Sequence, residues 1–506
     1  MSWQNHPLSR LVIPFTLGMI GASLFIDYMN TAVLFILCCA VLGLSFFLLK
    51  TSSAYKDGTF GIVAISLFFL IGMTLYTGKH RRIEQGVPTN TTLCQGTLIE
   101  PPSEKKHSWT LELKQADGTH ILLYAGKDKH GGTSDSITFG SIHPGDTIVA
   151  RIFHINATNH CTNDTFKTYN TYLFHRDICA TAYTPPRQWS TSPCRSWNTL
   201  SNSAKTLQEQ LHQIYDDRGL HGEAGSIVEA MTIGRKTNLT KETRQTFSKA
   251  GISHILALSG FHVGIIVMMI QAFFLKTILS LRWQLVSNIL IIATLWGYAL
   301  LTGLSPSLVR ATTMFSIILL CQSIHRDAIS LNSCALAFFI MLCINPFYLH
   351  DIGFQMSFIA VGAIGLLGNR LVNLYRSSNN TINHMWLISI IAISLISTIF
   401  TAPLVAHYFG RAALISPISN LVLFGFVYLL MWTSILWWGF LWCEPINSLL
   451  TYLLKWTATA MTSITEWLAS LPFASIEWHP STIITALCYV VLLALTYFIT
   501  NKQKSI

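Results

Sequence analysis

The residues best placed to do chemistry lie in one stretch, KAGISHILALSGFHVG (249–264), which sets His254, Ser259 and His262 at the head of an otherwise apolar run. A charge placed in lipid costs about 2.5–3.5 kcal/mol on insertion scales, so polar groups there face a cavity or a partner. Three readings follow. The residues line a wet path, or Ser259 is a nucleophile with a histidine as its base, or the hydroxyl bonds its own helix while the histidines sit at the interface. The run Ala-Leu-Ser259-Gly lacks the leading glycine of a rhomboid-type GxSG, which weighs against the nucleophile. Gly260 and Gly264 stand four apart, a small-residue face that lets two helices approach closely.

Other polar points fall inside apolar segments. Arg310 follows Ser305-Pro306-Ser307, a proline-broken helix start, and Asp351, Gln355 and Ser357 lie in HDIGFQMSF. Thr401, Pro403, His407 and Arg411 cluster in TAPLVAHYFGR. Each alone is equally well a structural feature. Together, broken helices carrying polar residues at membrane depth predict a pore or transport path, lined by His254, Ser259, His262, Arg310, Asp351 and Gln355. Arg235, Lys236, Lys241, Arg244 and Lys249 concentrate just ahead of His254. They read as a cationic vestibule able to contact phosphate, or as a solvated face.

Soluble-enzyme motifs fail. GMTLYTGKH (72–80) has five residues between its glycines where a phosphate-binding loop needs four, and His80 stands where a Ser or Thr would hold magnesium. There is no HExxH and no HxHxDH, so no metal, cofactor or enzymatic activity is expected. Cys161 and Cys179 are candidates for a disulfide if their compartment is oxidising, with free thiols or a zinc site shared with His160 and His175 as the alternatives.

The elements that must position these residues follow from composition. Of 506 residues, 51% are hydrophobic and 11% charged, against about 25% charged in ordinary soluble proteins. Disordered chains and compact cytosolic enzymes are excluded. The formal net charge of +10 has a first explanation in basic cytoplasmic loops. Stretches long enough for a span of about 20 residues lie at 11–28, 32–49 and 60–77, and again at 255–275, 285–301, 308–324, 331–349, 352–367, 385–405, 418–438, 449–468 and 483–499. The segment 449–468, with Lys455 and Glu466, is amphipathic and could lie in the interface, so the count is eleven or twelve. Basic residues in the alternate short loops put the N-terminus in the cytoplasm and residues 79–250 outside it; Lys79, Arg81 and Arg82 run against the rule, which long translocated domains escape.

Within that insertion, TLCQGTLIE, WTLELKQ, HILLYAG and DTIVARIFHI read as strands separated by turn signals. Five or so short strands suit a small barrel such as an OB-fold. From 196, LQEQLHQIY and EAGSIVEAMTIG turn to helical spacing. The expected fold is therefore an α-helical polytopic membrane protein with an extracytoplasmic OB-like β insertion. Its parts are helices in 1–78, a β domain in 79–190, an amphipathic connector in 191–250 and a transmembrane domain in 251–506.

GISHILALSGFHVGII resembles the signature HLLAISGLHVG of the ComEC family of inner-membrane competence channels, which take up DNA. GLSPSLVRATTMF, NPFYLHDIGFQMSFIAVGAIGLL and TAPLVAHYFGRAALISPISNLVL are similar to later blocks of the same domain, in the same order, and FKTYNTYLFHRDICATAY resembles the end of its extracytoplasmic OB-like domain. The resemblance implies transfer of single-stranded DNA across the inner (plasma) membrane. Expected partners are single-stranded DNA, membrane lipid, a cytosolic DNA translocase or single-strand-binding protein, an extracytoplasmic DNA receptor and, for an oligomer, further copies of the chain. Many members continue into a metallo-β-lactamase-like domain; this sequence ends at Ile506 without HxHxDH, so nuclease activity is not carried over. Trp109, Tyr124, Phe153 and Tyr172 are possible base-stacking platforms, against the plainer reading of barrel core. Residues 80–184 hold ten basic and ten acidic side chains, so net charge does not decide between them. A transporter of another anionic or lipid-linked substrate and a membrane hydrolase at Ser259 are the competing readings.

Overall fold

The computed structural model describes residues 7–50, 59–87, 93–99, 102–127, 142, 144–158, 164–186, 188–192, 200–236, 238–275, 284–323, 331–378 and 385–502. They form two units, one of residues 7–203 with 339–351, the other of 204–338 with 352–506 and the N-terminal tip.

The first unit begins with three helices, α1 (Pro7–Leu24), α2 (Thr31–Lys50) and α3 (Thr59–Gln85). α1 and α3 meet backbone to backbone. A Cβ on Gly18 would run into the carbonyl of Phe69, and one on Gly72 into that of Phe15. Only glycine permits this approach, which brings the fully buried Phe15 and Met19 against α3. Beyond its apolar part, α3 is fastened to the β domain. Lys79 pairs with Asp177 at 2.7 Å, the Arg82 guanidinium donates to the carbonyl of Asp117 at 3.0 Å, and Gln115 Nε2 donates to the carbonyl of Gly86 at 3.1 Å.

That domain contains β1 (Leu93–Leu98), β2 (Ser103–Glu104), β3 (Ser108–Lys114), β4 (His120–Gly126), β5 (Thr147–Arg151), β6 (His154–Ala157), helix α4 (Asp164–Phe174), β7 (Ile178–Thr184) and β8 (Trp189–Ser192). The strand order is β6-β7-β4-β3-β1-β5-β8, with β2 on β3, so the sheet has eight strands where the sequence predicts about five. All described pairs are antiparallel except β4 with β7. Only Ile152 and Phe153 separate β5 from β6, yet β5 pairs with β1 and β6 with β7, so the strand path returns upon itself there. Alternation puts Leu111 and Leu113 of β3 with Ile121, Leu123 and Ala125 of β4 on the buried face. α4 covers part of the other face, packing Leu173 on Leu122 and Ile178.

The second unit holds α5 (Leu200–Asp217), α6 (Gly222–Thr232), α7 (Lys241–Lys249), α8 (Ser253–Leu256), α9 (Gly260–Leu275), α10 (Gln284–Leu301), α11 (Pro306–Ser323), α12 (Leu331–Ile344), α13 (Ile352–Ser378), α14 (Met385–Phe409), α15 (Ser416–Gly439), α16 (Glu444–Ser470) and α17 (Thr482–Lys502); the last residues of α12 fall in the first unit. A two-residue ladder joins β9 (Arg411–Ala412) to β10 (Ile476–Glu477). Among the described residues, three stretches are long and apolar enough to cross a membrane, Gly61–Gln85, Ser389–Phe409 and Ser416–Gly439, and seven shorter apolar helices accompany them. α16, the ambiguous segment of the sequence, is among neither group; it turns a face carrying buried Asn447, Thr451, Thr457 and Thr465 inward.

The connector helices belong to this helical unit. α6 is buried from Gly225 to Thr232. Tyr215 of α5 is fully buried, stacked on Trp437 at 4.8 Å, with its hydroxyl shared between Thr232 Oγ1 and the indole N–H of Trp438. Tyr298 of α10 donates to the carbonyl of Thr232 at 2.8 Å. These bonds tie α5 and α6 to α10 and α15.

In the first unit, His175 stacks on His350 at 4.1 Å, nearly parallel, and Tyr76 bonds His350 Nε2 at 3.1 Å. Burial, then the neighbouring His350 and His80, lowers His175 to about 3; burial lowers His350 too. The unfolded chain takes up these protons near pH 6.5 while the folded one refuses them. The stability is therefore complete above about pH 6.5 and is lost as pH falls toward 3. We expect thermal unfolding of the detergent-solubilised chain to weaken between pH 7.5 and 5, by up to about 2 kcal/mol from His175. His175→Phe should flatten the profile, and an unchanged slope would refute this origin.

Candidate functional site

The single helix predicted from 255 to 275 is interrupted. α8 ends at Ala257, whose backbone is extended, and α9 starts afresh at Gly260. A helix start in apolar surroundings leaves backbone N–H groups without partners. Here Ser259 takes the N-cap position and His262, three residues on, reaches back. Its Nδ1 accepts the backbone N–H of Ser259 at 3.3 Å and lies 3.1 Å from the Ser259 hydroxyl. His262 thus fills the role that Glu or Gln plays in half of a capping box, while its own backbone N–H bonds the Ser259 carbonyl at 3.1 Å. Because an amide N–H can only donate, Nδ1 carries no proton, and in the neutral ring the proton sits on Nε2. Nε2 is buried and has no hydrogen-bond partner among the described residues, while the whole His262 side chain is 0% exposed. Ser259 is within reach of an imidazole, as a nucleophile would be, but that nitrogen is shared with the backbone. His254, on the far side of the break, is exposed.

A Cβ on Gly260 or Gly264 would stand in ordinary contact with Ala311 or Phe315, at 3.6 and 3.5 Å, so the helices come no closer there than alanine would allow. Gly260 packs on Ala311 and Gly264 on Phe315, so α9 and α11 run in the same direction, with Ser259 and Arg310 at the same level. Arg310 is only 6% exposed. α10 ends at Gly303 and Leu304, both with positive φ, and Pro306 opens α11. Two helix N-termini thus lie side by side with a guanidinium, an arrangement that favours an anion. The N-terminus of α15 grips the same connection: Ser416 Oγ donates to the carbonyl of Gly251 at 3.1 Å, where φ is +76° and a Cβ would strike Ser416. Gln355 is half-buried on α13, which also packs on α11; Asp351 is exposed and falls in the first unit.

Among the cations, Lys236, Lys241, Arg244 and Lys249 are exposed. Thr240 caps α7, and the Thr243 hydroxyl bonds Glu223 at 2.6 Å, which fixes α7 against α6. The Arg244 guanidinium donates to the carbonyl of Lys236. Arg235 differs from the other four. It is half-buried and acts on Glu229, whose carboxyl burial pushes up. The sequence reading missed His212, Asp216 and Glu229, which α5 and α6 bring together; the four-residue spacing of His212 and Asp216 was the available signal.

In the β domain each of the four aromatic platforms has a cation over its ring. Lys127 lies 5.5 Å from the centroid of Trp109, Lys105 5.0 Å from Tyr124, Arg151 5.8 Å from Phe153 and Arg176 5.8 Å from Tyr172. Phe153 and Tyr172 are each 51% exposed, so neither is barrel core. Two further tyrosines join them. Tyr169 bonds Tyr124 hydroxyl to hydroxyl at 3.2 Å, and Tyr183 lies opposite Tyr124 in the parallel pair. Cys161 lies outside the described residues, and with it the proposed disulfide. Cys179 is a buried free thiol whose Sγ donates to the carbonyls of His120 and Gly86.

A family model described as Competence protein matches residues 231–502. ComE operon protein 3 of Bacillus subtilis (strain 168) is 24% identical over 441 residues, covering 83% of this chain and 50% of that protein. The chain thus spans about half the length of the curated relative it matches. No solved structure matches it.

The capping geometry predicts an order of effects. His262→Ala strips the acceptor from the Ser259 N–H and should cost about 0.5–2 kcal/mol. Ser259→Ala keeps that bond and should cost less. Thermal unfolding in detergent measures both, and equal losses would remove the capping assignment.

Proposed function

The chain belongs to the competence-protein family, and on that premise we propose that it passes single-stranded DNA across the inner membrane during natural transformation. The observation that carries this reading is the set of aromatic rings on the β domain, four of them with a Lys or Arg over the ring. Tyr124, bonded to Tyr169, which stacks on Tyr172, lies on the α4 side of the sheet, and Trp109 lies on the side of Leu111 and Leu113. Single strands are held by stacking bases on aromatics beside cations, at about 1–3 kcal/mol per base. Such a grip needs no net positive charge on the domain, only cations beside the rings.

An OB-like barrel is the reading of this domain that its connectivity favours. β1, β3 and β4 form a meander, β4 pairs with β7 in parallel, and β5 with β6 acts as one bent strand bridging β1 and β7. The domain stands outside the cytoplasm, and the helices form a multi-pass inner-membrane channel with a cytoplasmic N-terminus. The path runs past the exposed Lys236, Lys241, Arg244 and Lys249 to the paired N-termini of α9 and α11, where Arg310 meets the phosphates. No catalytic step is part of this function; Ser259 serves as a cap. A cytosolic translocase or strand-trapping protein supplies the driving force, and an extracytoplasmic receptor delivers the DNA.

The decisive experiment follows labelled DNA in a competent host lacking this protein and in its complemented parent. DNA should enter the envelope and stop short of the cytoplasm in the deletion strain. Arg310→Ala should abolish delivery while the protein still inserts. Delivery unchanged by the deletion would give the channel role to another protein and favour a different anionic substrate. In the full chain in detergent, Tyr172→Ala should weaken single-strand binding by about 1–3 kcal/mol, roughly 5- to 150-fold; an unchanged affinity would remove the aromatic rings from the reading.

A further inference from the structure

One cluster of metal-ligating side chains includes none of the residues assigned to the helical path or to the aromatic rings. His212 and Asp216 are a turn apart on α5 and share a face. Glu229 meets them from α6. His212 Nδ1 lies 2.8 Å from Glu229 Oε1, His212 Nε2 lies 3.4 Å from Asp216 Oδ2, and one donor atom from each of the three residues falls within 4.8 Å of the others.

The burial is uneven in a way that points to a ligand. Glu229 is 2% exposed, and its Oε2 has no hydrogen-bond partner among the described residues. A carboxylate taken out of water needs opposing charge and filled acceptor positions. His212 reaches Glu229 only at Oε1, and Oε2 stays bare. Arg235, the further cation acting on Glu229, is half-buried.

We propose that His212, Asp216 and Glu229 bind a divalent transition cation of the zinc class, holding α5 to α6. The donor set of one imidazole nitrogen and two carboxylates suits zinc, whereas calcium and magnesium prefer oxygen alone. Ligands about 2.0–2.1 Å from a tetrahedral ion stand about 3.3 Å apart. Closing from 4.8 Å therefore asks a shift of about 1.5 Å at most. Asp216, with a side chain 49% exposed, has room to make it. Glu229 fixes the buried side and Asp216 the open side, which leaves a fourth position for water. This inference is independent of the DNA reading.

The test uses the full chain in detergent, stripped with a chelator and titrated with Zn²⁺ alone, bound metal being counted after buffer exchange. The wild type should retain one Zn²⁺ per chain and melt at a higher temperature with it, and Mg²⁺ at the same concentration should not displace it. His212→Ala and Glu229→Gln should each weaken retention at least tenfold. Asp216→Ala, at a half-exposed position, should do the same and decides the matter if the buried variants do not fold. Co²⁺ in place of Zn²⁺ should give the visible spectrum of a tetrahedral nitrogen–oxygen site in the wild type and lose it in Asp216→Ala. No retained Zn²⁺ in the wild type, retention unchanged in Asp216→Ala, or displacement by Mg²⁺ would each overturn the proposal.

Discussion

An interrupted helix in apolar surroundings must find acceptors for its backbone N–H groups, and the bond from Ser259 N–H to His262 Nδ1 answers that need. Much of the helical unit depends on it. The break lets the connection 251–259 turn with Gly251 in a positive-φ conformation, so that Ser416 can bond its carbonyl. It sets the first turn of α9 beside α11, with Gly260 next to Ala311 and Gly264 next to Phe315. It also assigns the proton of a buried histidine without any carboxylate, because the acceptor role of Nδ1 is set by an amide that can only donate. An uninterrupted helix from 255 to 275 would do none of this.

The second organising feature is Tyr215. A fully buried phenol in a mostly apolar unit is costly unless its hydroxyl is bonded, and here Thr232 and Trp438 supply both partners while Trp437 stacks on the ring. The helices on either side of the Gly219–Gly222 turn are therefore part of the packed helical unit, not a hinge hung beside it. The basic residues of α7 inherit a fixed position from this, through the bond between Glu223 and Thr243. Four of the five basic side chains stay exposed, while Arg235 is held near a buried carboxylate.

Legibility in the sequence followed the range of each interaction. Apolar runs of about twenty residues located nearly every long helix, because burial in lipid or core is written locally. The proline at 306 was read correctly for the same reason: it acts within a turn of where it stands. The break at 257–259 was not read, since ILALSG has no proline and the capping histidine looked like a polar intrusion. The strand count was too low because β5 and β6, joined by only two residues, read as one run, while β2 has only two residues and β8 lies past the stretch read as β. Tyr169 and Tyr183 were missed because their partnership with Tyr124 exists only after α4 and β7 fold over β4. The meeting of Glu229 with His212 likewise depends on two helices packing, and the sequence carries only half of it.

The cation-paired aromatic rings also answer why a domain with as many acidic as basic residues between 80 and 184 suits the proposed task. A strongly basic surface holds a polyanion by counterion release and holds it harder the longer the contact. A strand that must keep moving is better served by contacts that are individually modest and indifferent to sequence. Stacking on a ring is of that kind, since every base has a face to offer. A cation 5.0–5.8 Å from each ring adds local attraction at the point of stacking. Charge placed at the rings and balanced elsewhere favours binding without a trap, and for the proposed transfer of a strand the second property matters as much as the first.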